Sequence, residues 1–288
     1  MPLTSSTPSA SPTHTTSVPR VLSIAGTDPT GGAGIHADLK SISANGGYGM
    51  AVVTALVAQN TKGVRSIHTP PVSFLREQLD SVSDDVQIDA IKIGMLGTSE
   101  IIETISEWLD INRAPVVVLD PVMVATSGDR LLNAQAEAAL RQLLHKADLI
   151  TPNMPELAVL AQTSEAQNWQ EVLEQARAVA AQYQAHVLAK GGHLSGHLAP
   201  DALINIDGTV QEFPGDRIAT KNTHGTGCSY SAALATLRPQ VNNWAEAIAL
   251  AKSWLTESIR HADSLHVGRG HGPIHHFASL WQRAGQSH

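Results

Sequence analysis

From residue 20 to residue 190 the sequence keeps repeating one arrangement. A short apolar run without polar alternation is followed by a stretch with helical spacing. A strand without alternation is covered on both faces, and strands separated by helices of ten or more residues pair in parallel. Residues 21–25, 50–56, 90–95, 115–119, 149–151 and 186–189 therefore read as strands. Residues 35–45, 72–82, 100–110, 134–144, 156–161 and 171–183 read as helices. Beyond them the pattern changes to a hairpin over 202–213 around Asp207-Gly208, then to helices over 228–237 and 244–262. The expected fold class is α/β, with three layers: a mainly parallel central sheet, an antiparallel edge and helices on both faces. Ligands of such sheets sit outside the carboxyl ends of the strands.

Composition narrows the possible functions. The chain has 288 residues, 42% of them hydrophobic, which is enough for a packed core. With 19 Lys+Arg against 26 Asp+Glu the net charge is −7. That balance argues against a nucleic-acid partner. Cys228 is the only cysteine, so neither an intrachain disulfide nor a several-cysteine zinc site can form. The 14 histidines lack metalloprotease spacing, and His271, His275 and His276 fall among glycines and a proline. The longest apolar run, 50–58, is too short to cross a bilayer, so no membrane partner is expected. Residues 1–19 are rich in Ser, Thr and Pro and read as a disordered tail without targeting features, with one folded domain over 20–288 and a cytoplasmic location.

Five loops at strand ends carry the candidate chemistry. The first, 26–34 (GTDPTGGAG), brings backbone close to a ligand. It lacks the Lys-Ser/Thr of a Walker A loop. It also lacks the acid that a dinucleotide fingerprint requires some twenty residues on, where Leu56, Val57, Ala58 and Gln59 stand instead. Asp120 follows the most apolar strand and suits a Mg²⁺ ligand or a turn. Asn153 suits a helix cap, and Glu156 a helix dipole or a metal. Lys190, before Gly191 and Gly192, can reach a phosphate. The fifth loop, 222–228 (NTHGTGC), combines an anion-binding nest, a helix start and Cys228 at that start, where a thiol pKa is commonly lowered.

Eight stretches together resemble one family. They are 25–40 (AGTDPTGGAGIHADLK), 54–64 (TALVAQNTKGV), 92–96 (KIGML), 119–129 (LDPVMVATSGD), 150–156 (ITPNMPE), 190–194 (KGGHL), 222–228 (NTHGTGC) and 268–276 (GRGHGPIHH). The chain is similar to the hydroxymethylpyrimidine/phosphomethylpyrimidine kinases of thiamine biosynthesis, within the ribokinase-like fold. His36 stands where that family carries Gln, a difference confined to one helix position. The resemblance implies an ATP- and Mg²⁺-dependent kinase that acts on a small pyrimidine alcohol and then on its monophosphate. It implies a pyrimidine pocket at Gln59, Gly26, Ala33, Asp38, Val57, Met95 and Val122. It implies an anion hole and base at Gly225, Gly227 and Cys228, with Lys190 at the transferring phosphate. It places Asn153, Glu156, Lys190 and Thr226 toward the nucleotide and Asp120 and Glu156 toward the metal, and it implies a homodimer. Three rival readings are a pyridoxal kinase, a nicotinamide-dependent dehydrogenase on the first glycine loop, and a non-catalytic nucleotide sensor.

Overall fold

The computed structural model describes residues 18–123, 132–194 and 196–285. All but the last two residues of the tail expected over 1–19, and the end of the 119–129 motif, lie outside them. The element order is β1 (Arg20–Ala25), α1 (Gly34–Ala44), β2 (Tyr48–Val53), β3 (Leu56–Asn60), β4 (Gly63–His68), α2 (Val72–Ser83), β5 (Ala90–Ile93), α3 (Ser99–Ile111) and β6 (Val117–Leu119). It continues with α4 (Ala134–Leu143), β7 (Leu149–Ile150), α5 (Met154–Ala161), α6 (Trp169–Tyr183), β8 (His186–Lys190), β9 (Asp201–Ile204), β10 (Val210–Phe213), α7 (Thr226–Leu237), α8 (Trp244–Arg260) and α9 (Ala278–Arg283).

Among the described residues the main sheet has eight strands in the order β10-β9-β8-β7-β6-β5-β1-β2. All neighbours from β8 to β2 are parallel, and β9 and β10 add the antiparallel edge. Leu22, Ile24, Ile91 and Ile93 pack on one face with α2–α6, while Val21, Ala90, Val118 and Leu188 pack on the other with α1, α7 and α8. α7 has no solvent face: every residue from Ser229 to Leu237 is buried, and its run of Ser and Ala lets neighbouring backbones approach.

The apolar run 50–56 is not one doubly covered strand. The chain leaves the sheet at Thr54, whose hydroxyl donates to the Met95 carbonyl at 2.7 Å. β2 lies at the sheet edge with Tyr48 exposed. Leu56 opens β3, which pairs antiparallel with β4 in a separate two-stranded sheet that periodicity did not predict. Two short strands joined by only Thr54 and Ala55 read as one longer strand.

Candidate active site

Side-chain parity decides what gathers at the carboxyl ends of the strands. Ser23 and Lys92 are register partners across β1 and β5, and Lys92 faces Val118 on β6. Alternation turns all three toward α1 and α7, away from the face that holds Leu22 and Ile93. Asp120 and Lys190 follow Val118 and Leu188 at the same parity, so polar groups from three strands converge beneath α7.

There the amino ends of α1 and α7 meet. Gly225, at φ 76°, is the N-cap of α7, and a Cβ on it would overlap the Gly32 carbonyl. The two glycine loops are thus in backbone contact. Buried Asp28 joins them. Its carboxylate accepts from the Thr30 N–H (2.9 Å) and hydroxyl (2.7 Å) and from the N–H groups of Gly32 (3.2 Å) and Ala33 (2.9 Å). His224 Nε2 lies 2.8 Å from it. Burial opposes ionisation of Asp28, yet the contacts from His224, Thr30 and Gln59 hold its carboxyl well below the usual range. In the first turn of α7 the Thr226 N–H and hydroxyl both turn to the Thr223 carbonyl. The N–H groups of Gly227 and Cys228 have no acceptor within the helix.

Beside this start stands a charged cluster. Asp120 Oδ1 accepts from Lys190 Nζ at 3.3 Å and Thr151 Oγ1 at 3.1 Å, and Ser231 Oγ lies 3.4 Å from Oδ2. A Cβ on Gly227 would be 3.5 Å from Asp120 and 3.6 Å from Lys190. Asn153 and Glu156 form a capping box on α5, with both bonds at 2.9 Å. Burial pushes the Glu156 carboxyl up to about 7, with Lys190 opposing and Asp120 adding to the rise. Two buried carboxylates therefore share one lysine. Among the described residues no group of three or more His, Cys, Asp or Glu side chains is arranged to hold a metal. Two carboxylates suit a cation that draws its other ligands from phosphates and water, as Mg²⁺ does.

Cys228 is half-buried, and the Gly34 N–H at the start of α1 favours charge on its sulfur. The sequence predicts a lowered thiol pKa. Instead burial pushes Cys228 up to about 11; the Lys92 ammonium opposes the rise, and Asp38 and Asp120 add to it. Desolvation outweighs the helix dipole here.

The residues expected around a pyrimidine divide. A Cβ on Gly26 would run into Met95 at 2.5 Å and touch Val57 at 3.7 Å, so these three border one spot. The Val57 N–H donates to Thr27 Oγ1 at 2.9 Å, and Gln59 reaches Asp28 from β3. Ala33 is the N-cap of α1. Val122 stands on the Asp120 side, its N–H donating to the Asp120 carbonyl at 2.8 Å. Asp38 corrects the expectation of a pocket-lining carboxylate. It is fully buried, and its oxygens take Lys92 Nζ at 2.8 and 3.0 Å and the Ser23 hydroxyl at 2.6 Å. It supports the site from one layer below. His36 makes a local contact, its Nδ1 accepting the Asp28 N–H at 3.2 Å.

The family profile for phosphomethylpyrimidine kinase matches residues 28–275. The chain belongs to the phosphomethylpyrimidine kinase family. It is 53% identical over 261 residues to the hydroxymethylpyrimidine/phosphomethylpyrimidine kinase of Escherichia coli, covering 90% of this chain and 98% of that one. It is 55% identical over 260 residues to the thiamine biosynthesis multifunctional protein ThiED of Corynebacterium glutamicum, covering 90% of this chain and 34% of that one. The chain thus spans about a third of that longer relative. An ADP complex of Bacillus subtilis pyridoxal kinase superposes with a TM-score of 0.84 at 33% identity, covering 92% of this chain and 99% of that one. The phosphomethylpyrimidine kinase fold is therefore shared with a pyridoxal kinase.

Sequence reasoning passed over several residues. Lys92 sits in an apolar strand run, and that intrusion was the available signal. Asp28 and His224 were read only as parts of loops. His275 and His276, read among Gly and Pro, are buried, and His276 Nε2 lies 2.9 Å from Ser229 Oγ on α7.

Proposed function

We propose that this chain phosphorylates 4-amino-5-hydroxymethyl-2-methylpyrimidine to its monophosphate and then to the diphosphate, using ATP and Mg²⁺. The observation that carries the reading is the backbone contact between the two glycine loops. It sets the Gly26–Val57–Met95 spot beside the start of α7, next to Asp120 and Lys190. Acceptor and phosphoryl group could then meet in one place, and phosphoryl transfer needs positioning and charge neutralisation above all.

In this reading Gln59 and Val57 hold the pyrimidine, and the N–H groups of Gly227 and Cys228 receive the transferring phosphoryl. Lys190 neutralises its charge, while Thr226 and the Asn153–Glu156 box border the nucleotide. Bound Mg²⁺ would screen the phosphate charge, and Asp120 and Glu156 would hold it. Cys228 is the candidate base for the alcohol proton. The ADP complex of the structural relative supports adenine-nucleotide use. The 53% identity to the E. coli enzyme, against 33% to the pyridoxal kinase, favours the pyrimidine acceptor. A cytoplasmic location belongs to the same reading; no helix among the described residues is long and apolar enough to cross a membrane.

The test is incubation with Mg-ATP and either the pyrimidine alcohol or pyridoxal, followed by mass analysis of products. Pyrimidine mono- and diphosphate are expected. Pyridoxal phosphate as the main product would overturn the reading in favour of the pyridine alcohol.

A further inference from the structure

Residues 268–276 (GRGHGPIHH) carry part of the family resemblance but have no part in the reaction above. Glycine recurs there at 268, 270 and 272, and each glycine is pressed against a residue from a distant part of the chain. A Cβ on Gly268 would overlap the Thr61 side chain, one on Gly270 the Thr61 carbonyl, and one on Gly272 the Asn222 side chain. The close approach lets backbone bond directly. The Gly270 N–H donates to Thr61 Oγ1 at 3.1 Å, and the His271 N–H to the Thr61 carbonyl at 2.9 Å. The Gly272 N–H donates to Asn222 Oδ1 at 2.9 Å, and its carbonyl accepts the His224 N–H at 3.0 Å. Beyond Pro273 the segment is rooted in the helical layer. Ile274 is buried, the His275 N–H donates to the Ser258 carbonyl on α8 at 2.9 Å, and His276 meets Ser229 on α7.

The residues so gripped belong to the two halves of the candidate site. Thr61 lies in the turn between β3 and β4, two positions after Gln59. Among the described residues these strands pair only with each other, and a lone hairpin is marginal in water. Its base is tied to the first glycine loop, where the Thr27 N–H donates to the Ala55 carbonyl at 2.9 Å. Its tip is tied to 270–271. At the other half, His224 bonds Asp28 and is followed at once by Gly225, the N-cap of α7. His271 and Gly272 are consecutive, with Cα atoms about 3.8 Å apart, so the two attachments cannot shift independently. We propose that segment 268–272 is a positioning strap: it fixes the Gln59 hairpin relative to the amino end of α7, so that an acceptor held by the first faces the N–H groups of the second. The link itself stands on these contacts; its consequence for turnover rests on the kinase reading of this site.

Three variants of the full chain test the strap. Thr61→Val removes the acceptor of the Gly270 N–H without adding bulk, Thr61→Ser keeps the hydroxyl, and Gly270→Ala wedges strap and turn apart. Steady-state kinetics with each acceptor are compared with separate titrations of pyrimidine and of ATP. A misplacement of about 1 Å can cost about 10²-fold in rate, so Gly270→Ala is expected to lower kcat by about tenfold or more, well beyond any loss of pyrimidine affinity. Thr61→Val should show a smaller loss of the same kind, and Thr61→Ser should stay near the unsubstituted chain. Equal behaviour of the Val and Ser variants, or a fall in kcat no larger than the loss of pyrimidine affinity, would overturn the proposal. Amide hydrogen exchange reads the link without turnover. Thr61→Val should speed exchange across 222–228 as well as across 56–63, and acceleration confined to the hairpin would refute the strap. If Gly270→Ala fails to fold, the Thr61 pair decides alone. No turnover by the unsubstituted chain with either acceptor would sink the kinase reading, and exchange would still decide the link.

Discussion

Burial pushes the Cys228 thiol up to about 11, and if it is the base of the proposed reaction the two transfers should differ in pH dependence. In the first, an alcohol must lose its proton; in the second, the acceptor phosphate is already mostly dianionic, with a second pKa of about 6. With the thiol near 11, kcat/KM for the alcohol should climb with pH above neutrality while that for the monophosphate stays nearly flat. Cys228→Ala should cost the alcohol step about 10²–10⁴-fold and largely spare the other, checked with each acceptor supplied separately. Gln59→Leu should weaken pyrimidine binding by about 1–3 kcal/mol and leave ATP binding nearly unchanged, as titration with each ligand would report. His276 bears on stability. Burial, with Lys40 and His275 nearby, pushes its imidazole down to about 3. The unfolded chain takes up that proton near 6.5 and the folded chain does not until about 3, so stability is lost as pH falls between these values. The loss attributable to this side chain is about 2 kcal/mol from about pH 7 to 5. Denaturant unfolding at the two pH values should show it, and His276→Gln should flatten the slope. The sequence motifs put Cys228 at a helix start, where the structure has it, and Gln59 at a strand end, where it lies on β3. Asp38's withdrawal from the pocket was not legible, because burial depends on which strand faces the helix.

At the scale of elements, the amino end of α7 is the feature most sensitive to change. Gly225→Ala adds a Cβ where the Gly32 carbonyl already stands and forces a left-handed conformation costing roughly 1–2 kcal/mol. The two loops would have to part. The expected result is a drop in Tm of several degrees and a larger fall in kcat than in pyrimidine affinity, measured by thermal unfolding and steady-state kinetics. The parallel strands β1 and β5–β8 and the helices between them were readable from period alone, since apolar run and helical spacing alternate there; β9 and β10 were readable from their Asp-Gly turn. β3 and β4 were not. Apolar Leu56 and Val57 continue the run of β2, and β4 is exposed along most of its length, so neither edge of the hairpin carries a burial signal. The 2.0 period needs one covered face before it can be read.

For the whole molecule, we read residues 20–288 as one kinase domain, which should unfold in a single thermal transition. We also expect a homodimer. Leu56, Val64 and Ile67 on β3 and β4 and Phe74 on α2 are exposed, and a two-stranded sheet is marginal alone in water. Light scattering after size exclusion should give about twice the 30.5 kDa of one chain; the single-chain mass would refute this.

The turn of that hairpin is fastened by a segment more than two hundred positions later: the Gly270 N–H donates to Thr61 Oγ1 at 3.1 Å and the His271 N–H to the Thr61 carbonyl at 2.9 Å. The next residue, Gly272, accepts the His224 N–H through its carbonyl at 3.0 Å, and its own N–H donates to Asn222 Oδ1 at 2.9 Å. On the ribosome the sheet strands emerge in order and can begin pairing as they appear. The hairpin bearing Gln59 has to wait for residues 270–272 before it is held. A nascent chain halted short of them would carry the sheet and an unfastened Gln59 hairpin, so the proposed acceptor site is completed by residues 270–272 and not with the bulk of the fold.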